Sequence, residues 1–554
     1  MHRFSALDPL LLNPSNVASV FQATLDAHGT YTTEHFVLRL SPRAHELVDA
    51  ITRGQTDGYE KSELIQAYST YLHETLHWWQ HVGSTSGLIL SLAYPAQIYG
   101  SVSFLQAFAK GAGSHKPIKD WAYKAMLNGK THMDPILASA NIAVNNALDI
   151  TFYKELALFP PTVLKLEQTP YFESVGHSYL KTYGEVVFAI RGSCDLEQNQ
   201  FPDPAEWDPQ FLKLQQEKCE GFYHGSRPPF ADIGLHAIFE GQARFSQIQF
   251  LASSGAPEHL QHYRDQGYFA SPYVDAFETF LRLTNSEWPT RYDSPIVGLF
   301  LLICDVAINP TSGFPMEVTS FEDFICDVDP GARFTRLCLA AAETPELLYQ
   351  IKCFSSSEYD YVSCKLTERC GYDDPKSALD KVVKLFGDKG PVDTLMEEHR
   401  TYNYTAINMP IRVMVSHYLA FSRDKRRRPE FFCWPGMWLG LANSTSEVRS
   451  LFGSHLSIFQ DNANTEQIFP RAMPGREESS VKNFVNTFFG SMLVFDLTLQ
   501  WILEPGAFKY DFKWLTGKKD NTELIKIAKK QFKAVYGFSP DDCTQSAEKS
   551  FTVS

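Results

Sequence analysis

His73-Glu74-Thr75-Leu76-His77 has the residue types and the spacing of a hydrolytic metal site. Two histidines four residues apart share one face of a helix, so both imidazoles can reach a single ion. The glutamate between them lies beside the pair and can take a proton from a water that the metal activates. Chance would produce this pattern only roughly 0.03 times in a chain of this composition. That background is low, and the surrounding sequence has to decide.

Such chemistry needs a rigid helix beneath it, and the surroundings supply one. Ser62 is a candidate N-cap, no Pro or Gly falls between Leu64 and Val82, and Gly83 ends the run. At about 100° per residue, Leu64, Ile65, Tyr68, Leu72, Thr75, Leu76 and Trp79 share one broad side. Gln66, Thr70, His73, Glu74, His77, Gln80 and His81 share the other, which makes the helix strongly amphipathic. After the Gly83–Gly87 loop, Leu88–Tyr94 begins another apolar segment.

A catalytic zinc takes three protein ligands and a water, so one ligand is missing. A histidine six residues after His77 would complete a metzincin pattern. That position is Gly83, and His81 comes two residues too early. A carboxylate from another helix is the remaining common solution. The best candidate is Glu240, in His236-Ala237-Ile238-Phe239-Glu240-Gly241-Gln242-Ala243-Arg244, with Asp149 and Glu155 as substitutes.

HExxH followed by a separate helix with Glu-Gly-x-Ala resembles the gluzincin group of zinc metallopeptidases. The resemblance covers these two short segments. It implies zinc held by His73, His77 and Glu240, with Glu74 as general base in peptide-bond hydrolysis of a protein or peptide substrate. It also implies that small Gly241 and Ala243 let the two helices cross closely. Two departures stand out. The interval from His77 to Glu240 (240 − 77 = 163 residues) is far longer than in compact gluzincins, and Arg244 stands where some members carry an aspartate. Arg244 either holds the free oxygen of Glu240 or leaves that task to other residues. The tetrahedral oxyanion needs a further donor, for which His236, Tyr183 and His177 are the candidates.

The chain of 554 residues is 44% hydrophobic and 21% charged, a globular composition with room for two to four domains or one large enzyme. Its net charge of −14 argues against general nucleic-acid binding. The apolar run after Met1-His2-Arg3-Phe4 is too short for a secretory signal. Ile296–Cys304 and Met492–Ile502 are too short to span a membrane. Ten cysteines without a CxxC pair read as reduced thiols of a cytoplasmic protein.

The expected fold is α+β and mainly helical: a zincin-like catalytic core with a small sheet and large helical insertions, followed by a helical C-terminal region. Tyr31–Leu40 alternates like a strand, Ile136–Leu158 and Ala231–Ala252 read as helices, and β-formers in Gly176–Ile190 suggest a return to the sheet. A texture change near 345 divides a metallopeptidase domain (1–345) from a C-terminal region (346–554) suited to substrate recognition or regulation. Trp78 and Trp79 read as core and cleft wall, Lys425–Arg428 as a solvated loop, and Phe432–Trp438 as a packed turn. Two other readings compete. One is a non-catalytic metal-binding regulatory protein that keeps a zincin-like core. The other is a di-iron protein built on Glu74-x-x-His77, which requires a second Glu-x-x-His that the sequence lacks.

Overall fold

The computed structural model describes residues 29–32, 36–195, 201–226, 231–310, 318–386, 390–462, 465–470, 477–512 and 521–545. Helices take 69% of the chain and strands 3%, so the fold is mainly helical with a small sheet. The N-terminal segment considered above for a secretory signal lies outside the described residues.

The alternating stretch Tyr31–Leu40 forms two strands where one was expected. β1 (Gly29–Thr32) pairs antiparallel with β2 (Val37–Leu40), with Val37 opposite Thr32. Phe36, at a φ of 59°, makes the turn into β2, a conformation uncommon outside glycine. β2 then pairs parallel with β3 (Phe459–Asn462), which returns antiparallel into β4 (Thr465–Pro470). The two hairpins, far apart in the chain, thus form one sheet in the order β1-β2-β3-β4. Buried Asp461 fastens the junction: it accepts from the Leu40 N–H at 3.3 Å and lies 2.5 Å from the His45 ring. His45 belongs to α1 (Pro42–Arg53), whose N-cap Ser41 accepts from the Ala44 N–H.

α2 (Lys61–Gly83) carries the motif and rests on α1 and the β1–β2 hairpin. Its N-cap is Glu60, not Ser62, and no side chain caps it. Glu63 in the first turn suits the helix dipole and pairs with Arg43 at 3.2 Å. The sequence pattern promised one polar face, yet His73, Glu74, His77, Gln80 and His81 are all buried. Polar side chains on a buried face require partners, and those partners define the site.

Only Ser84 separates α2 from α3 (Thr85–Ala112). Its hydroxyl donates to the Gln80 carbonyl at 2.5 Å and accepts from the Gly87 N–H at 3.0 Å. A Cβ on Gly87 would stand 1.8 Å from the Gln80 carbonyl oxygen, so only glycine permits this corner. α3 alone among the described helices is long and apolar enough to cross a membrane, and 61% of its most apolar window is buried. It packs on α4 (Pro135–Leu158) and α5 (Val175–Cys194). Asp134 caps α4 through the Ile136 and Leu137 N–H groups, as its Asp-Pro start implies. α5 is the segment expected to return to the sheet. Ser174 caps it from the His177 N–H, and packing on two helices overrides the β-propensity of its Val, Tyr and Phe residues.

α6 (Leu235–Ser253) carries Glu240 and lies along α2. Gln80 meets Phe239 and Gln242, while Ser69 meets Gln247, so the helices run antiparallel. α7 (Met409–Arg427) covers another side of α2, placing residues from beyond 345 directly on the motif helix. Trp78 and Trp79 are core: the Trp79 indole N–H donates to the His455 carbonyl at 2.7 Å, and its ring packs on Phe432. Phe432–Trp438 falls in the short helices Pro429–Cys433 and Pro435–Leu439, and the second of these lies on α6. The basic run is the end of α7 and is neutralised within the chain. Lys425 pairs with Asp305, Arg426 with Asp380 and Arg428 with Glu430.

Candidate metal centre

His73 and His77 project from successive turns of α2 towards Glu240 on α6. Their Nε2 atoms are 3.2 Å apart, and each lies 3.5 Å from Glu240 Oε2. Among the described residues these three form the one group of His, Cys, Asp and Glu arranged to hold an ion. For bonds of about 2.0–2.1 Å at tetrahedral angles, donor atoms stand about 3.3–3.4 Å apart. The three separations, 3.2, 3.5 and 3.5 Å, are close to the edges of such a tetrahedron. The Glu240 side chain keeps 19% of its surface exposed, whereas both histidines are buried.

Neighbouring groups orient these side chains. Gln80, one turn beyond His77, spends its amide N–H groups on the Phe239 carbonyl (2.9 Å) and on Gln242 Oε1 (3.0 Å). Its Oε1 is therefore an acceptor, 2.8 Å from His77 Nδ1. That bond places a ring proton on Nδ1 and turns Nε2 towards the centre. His73 Nδ1 has no hydrogen-bond partner among the described residues.

The charges follow from burial and proximity. Burial, with the positive charges of His77 and Arg244, lowers His73 to about 4. Burial also disfavours charge on His77, but Glu240 and Glu74 outweigh it and push that imidazole up to about 9. Burial works against ionised Glu240 too. The His77 charge and hydrogen bonds from both rings still hold its carboxyl well below the usual range. Burial pushes the Glu74 carboxyl up to about 7, aided by Glu240 and opposed by His77 and Arg244.

The sequence-derived candidates divide sharply. His73, Glu74, His77 and Glu240 come together. His236 lies one turn before Glu240 on α6, with its ring packed on Phe159 at 5.0 Å. Tyr183 is surrounded by core, against Tyr153 and Phe324, and none of its described contacts reaches the centre. His177 pairs with Asp149 at 3.3 Å, and Asp149 also accepts from Ser178, so both are spent on each other. Arg244 does not hold Glu240: its Nη1 donates to Gln247 Oε1 at 2.6 Å. Gly241 does not line the helix crossing either. A Cβ there would meet Phe300 and Ala276, so its small size admits the helices behind α6.

Two contributors escaped the sequence reading. Gln80 falls three residues after His77 on the same face, and helical spacing alone would have found it. Tyr273 has no local signal. The fold brings its ring to 5.9 Å from the His73 ring and 3.9 Å from the Arg244 guanidinium. Comparison of the chain with family profiles, curated proteins and solved structures found no match.

Proposed function

We propose that this chain is a zinc-dependent peptidase of gluzincin type, with a zincin-like core that its C-terminal region braces through β3 and α7. The observation that carries the reading is the triangle of His73 Nε2, His77 Nε2 and Glu240 Oε2, with sides of 3.2, 3.5 and 3.5 Å. The packing of the motif helix on a small sheet supports it further.

His73, His77 and Glu240 would hold the zinc, which when bound supplies Lewis acidity and lowers the pKa of water towards neutral. Glu74, buried on the same face, accepts the proton of the attacking water and returns it to the leaving amine. Gln80 keeps His77 in the required tautomer. Tyr273, half-buried with its ring 5.9 Å from the His73 ring, joins His236 and Tyr183 as a candidate donor to an oxyanion.

Elemental analysis with a peptide-hydrolysis assay tests the proposal. The wild type should hold about one zinc per chain, and His73→Ala and Glu240→Ala should lose most of it. Glu74→Gln should keep metal and fold yet lose hydrolysis, because an amide accepts no proton at neutral pH. Two irons per chain, or equal turnover by Glu74→Gln, would sink the assignment.

A further inference from the structure

Arg244 lies one turn beyond Glu240 on α6, fixed by its neighbours and in electrostatic reach of Glu74 but without an ion-pair partner among the described residues. Its Nη1 donates to Gln247, which is held in turn by Ser69 of α2 at 3.1 Å. The guanidinium lies 3.9 Å from the Tyr273 ring centroid and 5.2 Å from that of Tyr268. Its Nε is buried with no acceptor, and no carboxylate forms an ion pair with it among the described residues. Leaving a donor of a charged group buried and unsatisfied is costly. A fork immobilised by two rings and a glutamine is also already ordered for a planar anion.

We propose that Arg244 is a specificity-determining residue that receives a substrate carboxylate one residue from the scissile bond, a reading that rests on the peptidase assignment above. The reach is consistent. One helical turn sets Arg244 about 6 Å along α6 from Glu240. One residue of extended substrate, about 3.5 Å, plus a charge-assisted hydrogen bond of about 2.8 Å covers that span. Two sources present the same chemistry, the free C-terminus of a peptide and an Asp or Glu side chain.

Binding separates this idea from catalysis. The Glu74→Gln protein, loaded with zinc, is titrated calorimetrically with three pools of N-acetylated tripeptides. One pool ends in a free carboxylate, one is amidated, and one is amidated with Asp or Glu in the last position. The free-carboxylate or the acidic pool should bind about 10- to 100-fold more tightly than the plain amides. Whichever gains identifies the source. Arg244→Gln on the same background should erase the gain, while Arg244→Lys, which keeps charge without the fork, should retain part of it. Equal binding of all pools, or a preference that survives in an Arg244→Gln protein with unchanged circular dichroism, would overturn the proposal. Hydrolysis of the same pools by the wild type reports separately on the peptidase assignment. Selective binding without turnover would remove that assignment and leave the anion site standing.

Discussion

Gln80→Ala isolates the residue that sets the His77 tautomer without touching a ligand. The substitution removes three contacts: the 2.8 Å bond to His77 Nδ1, and the bonds to the Phe239 carbonyl and Gln242 Oε1 at 2.9 and 3.0 Å. All lie in a buried interface. Freed of its acceptor, His77 can rotate or move its proton to Nε2, where it blocks coordination. Loss of such an orienting partner weakens metal binding about 10- to 100-fold, equivalent to about 1.4–2.8 kcal/mol. Gln242 Oε1, which loses the Gln80 donor, adds about 1–3 kcal/mol of lost stability. Competition with a chromophoric zinc chelator at fixed pH measures the affinity, and thermal unfolding of the metal-free protein measures the stability. Gln80→Glu is the informative partner, since a carboxylate accepts more strongly from Nδ1–H and should keep zinc affinity at or above the wild-type level. Unchanged affinity in a folded Gln80→Ala protein would refute the orienting role, and so would equal weakening by Ala and Glu.

Gly87→Ala should destabilise the fold by about 3 kcal/mol, the upper range for overpacking, because its Cβ meets the Gln80 carbonyl at 1.8 Å; a melting curve identical to the wild type would contradict the close corner. Asp329, buried at the start of helix Pro330–Glu343, has its carboxyl pushed from 3.8 to about 6 by burial, although Tyr179 and the Ala332 N–H pull the other way. A raised folded-state value means that this group's contribution is full below 3.8 and is lost as pH rises through about 6. Asp329→Asn should therefore flatten the fall in unfolding free energy between pH 4 and 6, and equal slopes in denaturant titrations would count against it.

Local chemistry made some features legible and long-range packing hid others. HExxH, the Asp134-Pro135 helix start and the helix bearing Glu240 could be read because each depends on residues within a turn or two. The α5 segment could not. Its Tyr and Val residues favour a strand until α3 and α4 bury them as a helix. The single strand expected at Tyr31–Leu40 became a hairpin through a turn at Phe36, a residue that rarely adopts positive φ. The place of Glu240 beside the two histidines was within reach because few residue types can join a histidine pair around an ion. Tyr183 was chosen for its hydroxyl, and sequence carries no sign that Tyr273 occupies the nearby position instead. Arg244 left two options open, holding Glu240 or leaving that to others, and Gln247, only three residues along the same helix, takes its hydrogen bond.

The parallel pairing of β2 with β3 has a consequence during biosynthesis. Leu40 and the Asp461 side chain that receives its N–H are 421 residues apart. At ribosomal speeds of 5–20 residues per second, about 20–80 s separate the emergence of the two partners. For that interval the motif helix exists without the strand and the α7 brace that later enclose it, and contacts of such long range also form slowly. The two histidines and Glu240 leave the ribosome early but acquire their full surroundings last. Enclosure of the His73, His77 and Glu240 cluster is thereby tied to synthesis of the helix Met409–Arg427 and the strand Phe459–Asn462, long after its own residues have emerged.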